Sequence, residues 1–498
     1  MTAKQVTVIG AGMGGLAAAL ALSGRGIDVT VLERANTPGG KMREIAIGNA
    51  RIDAGPTVFT MRWVFDEIFA AAEADLADHV RLQPATTLAR HAWREDERLD
   101  LFADIDQSAD AIGDFAGAAE ARGYRQFCAR AKRIYDILET PFIKRQKPNL
   151  PELMWRVGLH RPVAQYRINP YQTMWSALGE YFKDARLRQL FGRYSTYCGA
   201  SPYMAPATLM LVAHCERGGV WMAEGGMHSI AVQMARLAEA RGVTIRYQAH
   251  VAGVYNASGR AAGVTLADGE RIEADAIIVN ADPSSVSASL FGADAAKATP
   301  PMKPSKRSLS AMTYALVAAT DGFPLLRHNV FFSQDYAAEF GDILNGGRLP
   351  QDPTVYVCAQ DRNGEGGETL NGPERLLCVV NARPCGDTHE FDQTEIEQCQ
   401  QRTFQRLERC GLRVEHRPES IVATSPSDFE RLFPATGGAL YGRASHGWMA
   451  SFRRPGARSR MRGLYFAGGS AHPGPGAPMA ALSGRLAAER VIADLASM

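Results

Sequence analysis

The sequence predicts an α/β protein built on a Rossmann-like nucleotide-binding sheet, with a mixed-sheet second domain and a helical insert. Three observations carry this. The first is a short β-branched strand, Gln5 to Ile9 (QVTVI), that runs into Gly10-Ala11-Gly12-Met13-Gly14-Gly15. The second is the pair of elements after those glycines: a strong helix former, Leu16 to Ser23 (LAAALALS), and then an apolar strand, Val29 to Leu32, that ends in Glu33. The third lies near the other end of the chain, where Gly463 to Gly469 is again a strand running into glycines and a helix is expected from about Met479 to Ala493.

Each element of the first motif has a physical purpose. Gly10, Gly12 and Gly15 have the GxGxxG spacing. Gly10 allows the tight turn out of the strand, Gly12 lets a pyrophosphate approach the backbone, and Gly15 lets the helix pack closely on the sheet. The helix N-terminus offers unpaired N–H groups and partial positive charge to phosphates. Glu33 stands where a carboxylate binds ribose hydroxyls. A lone GxGxxG is weak evidence, but strand, glycines, helix, strand and acid in that order specify a dinucleotide site.

The middle of the chain supplies a second piece. Apolar residues Ile230, Met234, Leu237 and Ala238 recur at helical spacing, Gly242 stops that helix, and Val243 to Tyr247 begin a strand. Val251 ends the next short apolar run. A hairpin is expected at Val264 to Ile272 around Asp268-Gly269, followed by a buried strand, Ala276 to Val279, ending in Asn280-Ala281-Asp282-Pro283. In the C-terminal piece, Pro478 suits the first turn of the last helix, whose positive end faces whatever precedes it.

The segments ERANTPGGKMR (33–43) and DAGPT (53–57), with the three nucleotide pieces, resemble the flavin-side motifs of the amine oxidase and phytoene desaturase superfamily. The resemblance covers essentially the whole chain and implies a two-dinucleotide-binding-domain flavoprotein with FAD as cofactor. It implies cofactor contacts at Gly10, Gly12, Gly15, Glu33, Gly40, Lys41, Gly55, Pro56, Thr57, Val251, Gly468, Gly469, Pro478 and Met479. The phrases Gly219-Val220-Trp221 before Glu224-Gly225-Gly226, and His472-Pro473-Gly474-x-Gly476-x-Pro478, look like bacterial carotenoid desaturases. The ending PMAALSGR, from Pro478 to Arg485, looks more like the 1-hydroxycarotenoid 3,4-desaturases. The implied reaction is desaturation of an acyclic 1-hydroxy carotenoid by hydride transfer to flavin N5, with oxygen or a quinone as electron acceptor. Phytoene desaturation is the alternative, and a flavin amine oxidase a more distant one. His472, beside the expected flavin, is a candidate base or a loop-ordering histidine. Arg167, in Gln165-Tyr166-Arg167, is a second catalytic candidate or a surface arginine. Tyr194, Tyr197, Met204, Met210, Trp221 and Met222 are candidates for an apolar tunnel, or ordinary core.

Composition bounds the partners. With 55 Lys and Arg against 53 Asp and Glu, the formal net charge of +2 gives no argument for nucleic acid. The eight cysteines form no CxxC pair and no metal-spaced set, so they read as free thiols in a reducing compartment and no metal site is expected. Two uncharged stretches, Gln5 to Gly24 and Gly463 to Gly484, are broken by glycines or prolines and do not read as membrane spans. Between Pro141 and Phe182, basic residues interleave with Trp155, Tyr166, Tyr171, Trp175 and Tyr181, a composition suited to a lipid headgroup boundary. The expected location is therefore cytoplasmic and peripheral on the inner membrane. The expected domains are an FAD-binding domain (1–65, 220–290 and 440–498), a substrate domain (66–115 and 290–440) and a helical, membrane-facing insert (116–219).

Overall fold

A computed structural model describes residues 4–156, 171–363 and 372–497. Five parallel strands form the first sheet, in the order Leu464–Phe466, Ala276–Val279, Gln5–Ile9, Asp28–Leu32 and Thr244–Arg246. All four residues of Ala276–Val279 are buried, the continuous apolar run of a strand covered on both faces. The helices Met13–Ser23, Met227–Ala240 and Ala477–Ala496 share one core with this sheet. Small residues set the closest of these packings: a methyl on Gly484 would lie 1.9 Å from the Gly14 carbonyl oxygen.

Some boundaries differ from expectation. The last helix begins at Ala477 and runs to Ala496, with Pro478 in its first turn. Val251 opens the strand Val251–Ala257 rather than ending a run; that strand pairs with Arg260–Leu266 in a three-stranded antiparallel sheet.

The second large sheet has eight strands, centred on the antiparallel pair Ser310–Asp321 and Glu374–Ala382. Strand alternation divides its residues cleanly. Met312, Tyr314, Cys378 and Val380 join the core that contains Cys399 and Leu407 of the helix Gln393–Glu408. Ala311, Thr313, Leu377, Val379 and Asn381 face a cavity. Thr87–Arg94 and Glu97–Phe102 complete the sheet's far side, and their Trp93, Leu99 and Leu101 share a core with the helices Ala118–Leu138 and Ala185–Gly192. Among the described residues, no helix is long and apolar enough to cross a membrane.

Candidate active site

One cavity of about 860 Å3 lies between the two sheets, at the upper end of the size usual for ligand clefts. Its nucleotide part starts where Gly10 (φ +98°) turns the chain out of the first strand. A methyl on Gly15 would sit 2.0 Å from the Gly10 oxygen, so the helix can start there only with glycine. Gly12 caps that helix without any side-chain hydrogen bond, which leaves the first-turn N–H groups to a ligand. Glu33 is buried, and its carboxylate accepts hydrogen bonds from the amides of Ala11 (2.7 Å) and Ala35 (2.8 Å). The 248–251 segment is laid beside it by backbone bonds from Gln248 to Ala35 and from Ala249 to Glu33.

The three distant pieces meet at Asn280. Its side-chain amide donates to the Gly10 carbonyl at 3.2 Å, and methyls built on Gly12, Gly14 or Gly468 would all approach it within 2.8 Å. Next to it, Asp282 accepts from Ser470 Oγ at 2.5 Å. Lys41 donates to the Leu440 carbonyl at 2.7 Å, and burial lowers its pKa, partly offset by Asp282. Arg454 is fully buried and donates to the carbonyls of Tyr441, Arg443 and Gly469; burial brings its pKa down to about 10.

Beyond the Gly55–Thr57 turn the cavity has a polar wall and an apolar hall. Thr57 Oγ1 shares a 2.7 Å hydrogen bond with Tyr356 Oη, which is also bonded to His328 Nδ1 at 2.8 Å. Arg193 stands over the rings of both Tyr356 and Tyr197, 5.3 Å from each centroid. Tyr194 and Tyr197 donate to the two oxygens of Glu216, at 2.7 and 2.8 Å. Burial raises the Glu216 pKa, and the two phenols and Arg193 work against that rise. The apolar hall is lined by Leu138, Phe142, Ile143, Leu209, Val212 and Phe452. Tyr171 and Trp448, both exposed and packed edge-on at 5.3 Å, also line the cavity and mark its mouth.

Gly10, Gly12, Glu33, Gly40, Lys41, the Gly55-Pro56-Thr57 turn, Val251, Gly468, Gly469, Pro478 and Met479 all line this single cavity. Gly15 sits behind it, as helix packing requires. His472 is a correction. It is buried outside the lining, its Nε2 donates to the Arg145 carbonyl at 2.9 Å, and its ring packs against Phe142. Burial lowers its pKa to about 4, and the geometry makes it the residue that ties the Pro-Gly loop to 142–145, not a base facing substrate. Arg167 lies outside the described residues. Of the tunnel candidates only Tyr197 reaches the cavity: Met210 is core, Met204 is on the surface, and Tyr194 points its ring into the helical core. Asn280 and Asp282 stood in a segment the sequence singled out, but Arg193, Glu216, Tyr356 and Arg454 had no sequence signal, because only the fold brings them together.

The model of the flavin-containing amine oxidoreductase family matches residues 13–492. The chain belongs to that family. FAD is accordingly the cofactor of this amine oxidoreductase family member, and the residues present fit it. The glycine turn and uncapped helix suit a pyrophosphate, Glu33 retains lone pairs for ribose hydroxyls, and the N-terminus of Ala477–Ala496 aims at the region past Gly469. The family member is 53% identical to a hydroxyneurosporene desaturase of Rubrivivax gelatinosus, over 99% of this chain and 94% of the relative. It is 28% identical to a 1-hydroxycarotenoid 3,4-desaturase of a Flavobacterium species, over 98% of this chain and 99% of the relative. Among solved structures, an oxidoreductase from Methanosarcina mazei shares its fold with a TM-score of 0.61 at 16% identity, covering 98% of this chain and 100% of the other.

Proposed function

We propose that this protein is an FAD-dependent desaturase that forms the C-3,4 double bond of an acyclic 1-hydroxy carotenoid such as 1-hydroxyneurosporene. The observation that carries the reading is the continuity of the cavity. It leads from the nucleotide glycines, past the Gly55–Thr57 turn, into a hall of aliphatic and aromatic side chains suited to a polyene. The names of the full-length relatives agree with it. When bound, FAD would supply the two-electron acceptor for the hydride, with the proton of the neighbouring carbon lost to solvent and oxygen or a quinone as the final electron acceptor. The protein's own part is to orient and to exclude water. Leu209, Val212 and Phe142 enclose the polyene, and the positive end of the helix Ala477–Ala496 stabilises negative charge gathering beside it.

A bilayer is the proposed source of substrate. Tyr171 (61% exposed) and Trp448 (39%) stand at the mouth, and Trp155 (73%) is exposed on the same 141–182 stretch. Arg145 and Arg453 are exposed near the hall residues Phe142 and Phe452. Aromatic and cationic side chains around an apolar opening suit a headgroup boundary. Trp175 and Tyr181 take no part in this rim, since they pack against Tyr203 and Phe127.

The deciding experiment is a liposome assay with FAD that compares 1-hydroxyneurosporene with phytoene by absorption spectrum. A red shift of the hydroxylated carotene alone is expected. Conversion of phytoene instead would make the protein a phytoene desaturase, and no change in either would remove carotenoids as the substrate class.

A further inference from the structure

The cavity wall holds a charge that an all-hydrocarbon substrate has no use for. Arg193 lines the cavity beside the Gly55–Thr57 turn, yet its one hydrogen bond is a long one, from Nη1 to Tyr197 Oη at 3.4 Å. Among the described residues it makes no ion pair with a carboxylate. The other cavity cations nearby are engaged differently, Lys41 with the Leu440 carbonyl and Arg454 with three carbonyls. Glu216, the acid closest in this network, spends both oxygens on Tyr194 and Tyr197. It balances the guanidinium charge without covering its N–H groups. A desolvated arginine with donors to spare is costly unless the ligand brings an acceptor.

We infer that Arg193 and Tyr197 bind the tertiary hydroxyl at the end of the substrate and so select hydroxylated carotenoids over hydrocarbons. This rests on the desaturase reading above and names the residues that give it its substrate preference. The chemistry is matched on both sides. The alcohol oxygen accepts from the Arg193 guanidinium. The alcohol proton goes to Tyr197 Oη, whose own proton is already committed to Glu216.

The distance is matched as well. In a 1-hydroxy carotenoid the oxygen is three single bonds, about 4 Å, from the first carbon of the bond that is oxidised. Any group that binds that oxygen must therefore stand next to the flavin. Arg193 is linked to the expected flavin side through contacts already described: it lies over the Tyr356 ring, and Tyr356 is hydrogen-bonded to Thr57 of the Gly55–Thr57 turn. The buried Thr313 hydroxyl, which has no hydrogen-bond partner, lines the same cavity and adds polarity on the sheet side. A hydrocarbon end placed here would leave Arg193 dry and unpaired, which is how a site built for a hydroxyl rejects its deoxy analogue.

The test uses the FAD-loaded enzyme in liposomes with 1-hydroxyneurosporene and with 1,2-dihydroneurosporene, which lacks only the hydroxyl. The wild type is read first: oxidation of neither substrate removes the desaturase reading itself, and equal oxidation of both overturns the assignment to Arg193 and Tyr197. Given a wild-type preference, Arg193→Met is expected to lower the kcat/KM ratio of the two substrates about ten- to hundredfold, the size of one charge-assisted hydrogen bond. Arg193→Lys is expected to restore part of it. A ratio unchanged in Arg193→Met overturns the inference. If that variant fails to retain FAD, Tyr197→Phe, which removes a single oxygen, reads the same ratio, and an unchanged value there overturns the inference equally.

Discussion

Glu33 is held by two main-chain amides before any ligand arrives, so its carboxylate is already aimed. Replacing it with alanine strands the buried Ala11 amide, leaves the exposed Ala35 amide to water and removes the ribose acceptor. Glu33→Ala is expected to purify with little FAD and to lose about 1–2 kcal/mol, from the one stranded buried donor. Cofactor absorbance per chain and a thermal melt check both parts. Asp53 behaves in a similar way one segment on. Its oxygens accept from the amides of Met227 and His228 at 2.7 and 3.0 Å, so the acid of the DAGPT segment caps the helix Met227–Ala240. Asp53→Ala is expected to destabilise by about 1–2 kcal/mol through loss of that cap, with FAD spectra little altered, as measured by urea titration. Residue roles were legible in the sequence only where spacing encodes them. Glu33 follows a strand by rule, whereas Arg193 and Glu216 become partners across 23 residues of helix and loop that no local pattern reports. His472 shows the limit most directly: neighbouring positions in a loop point to opposite sides of it, and Pro473 lines the cavity while His472 is buried away from it.

Helices and strands were read more reliably than single side chains. Their periodicity and stop signals are local, so Met227–Ala240 and Ala276–Val279 fell where the sequence placed them. Helix ends moved where the first turn lacks apolar periodicity, as at Ala477. How elements dock is not local. The short sequence around Gly484 was distinctive, but its reason is the backbone of Gly14 on the other helix. A side chain at Gly484 meets main chain, which cannot swing aside, so the helices must separate. Gly484→Val is expected to cost more than the 1–3 kcal/mol usual for an overfilled core. It should also release FAD, because Gly14 belongs to the phosphate turn. Retention of full FAD content at an unchanged melting temperature would contradict this contact.

At the scale of the whole molecule, burial sets the pH range. Desolvation, with help from nearby arginines, lowers the pKa of His91 and His328 to about 3, and burial lowers His446 and His472 to about 4. The unfolded chain takes up protons on these histidines below about 6.5 while the folded chain does not, so stability falls as pH drops from there. Glu339, Glu216 and Glu489 oppose this: burial raises the pKa of all three carboxyls, Glu339 to about 7, so between their unfolded and folded values acid favours the fold. The four histidines still outnumber the three carboxyls, and a net loss of about 1–2 kcal/mol per pH unit, at about 1.4 kcal/mol for each titrating group, is expected between pH 6.5 and 5. Urea midpoints at pH 7.5 and 5.5 measure it, and an equal or higher midpoint at pH 5.5 would refute it. The overall architecture was legible because two short strands that run into glycines, and the buried run Ala276–Val279, announce one sheet, but the polar wall was not, being assembled from the second sheet and the helices together. The meeting of those three strands at Asn280 has a consequence for assembly. The pocket has no third wall until the segment around Gly468 has docked, so cofactor capture waits on the piece of sequence most distant from the first glycine turn. Any chain interrupted before that segment would hold FAD poorly, however complete its first glycine turn.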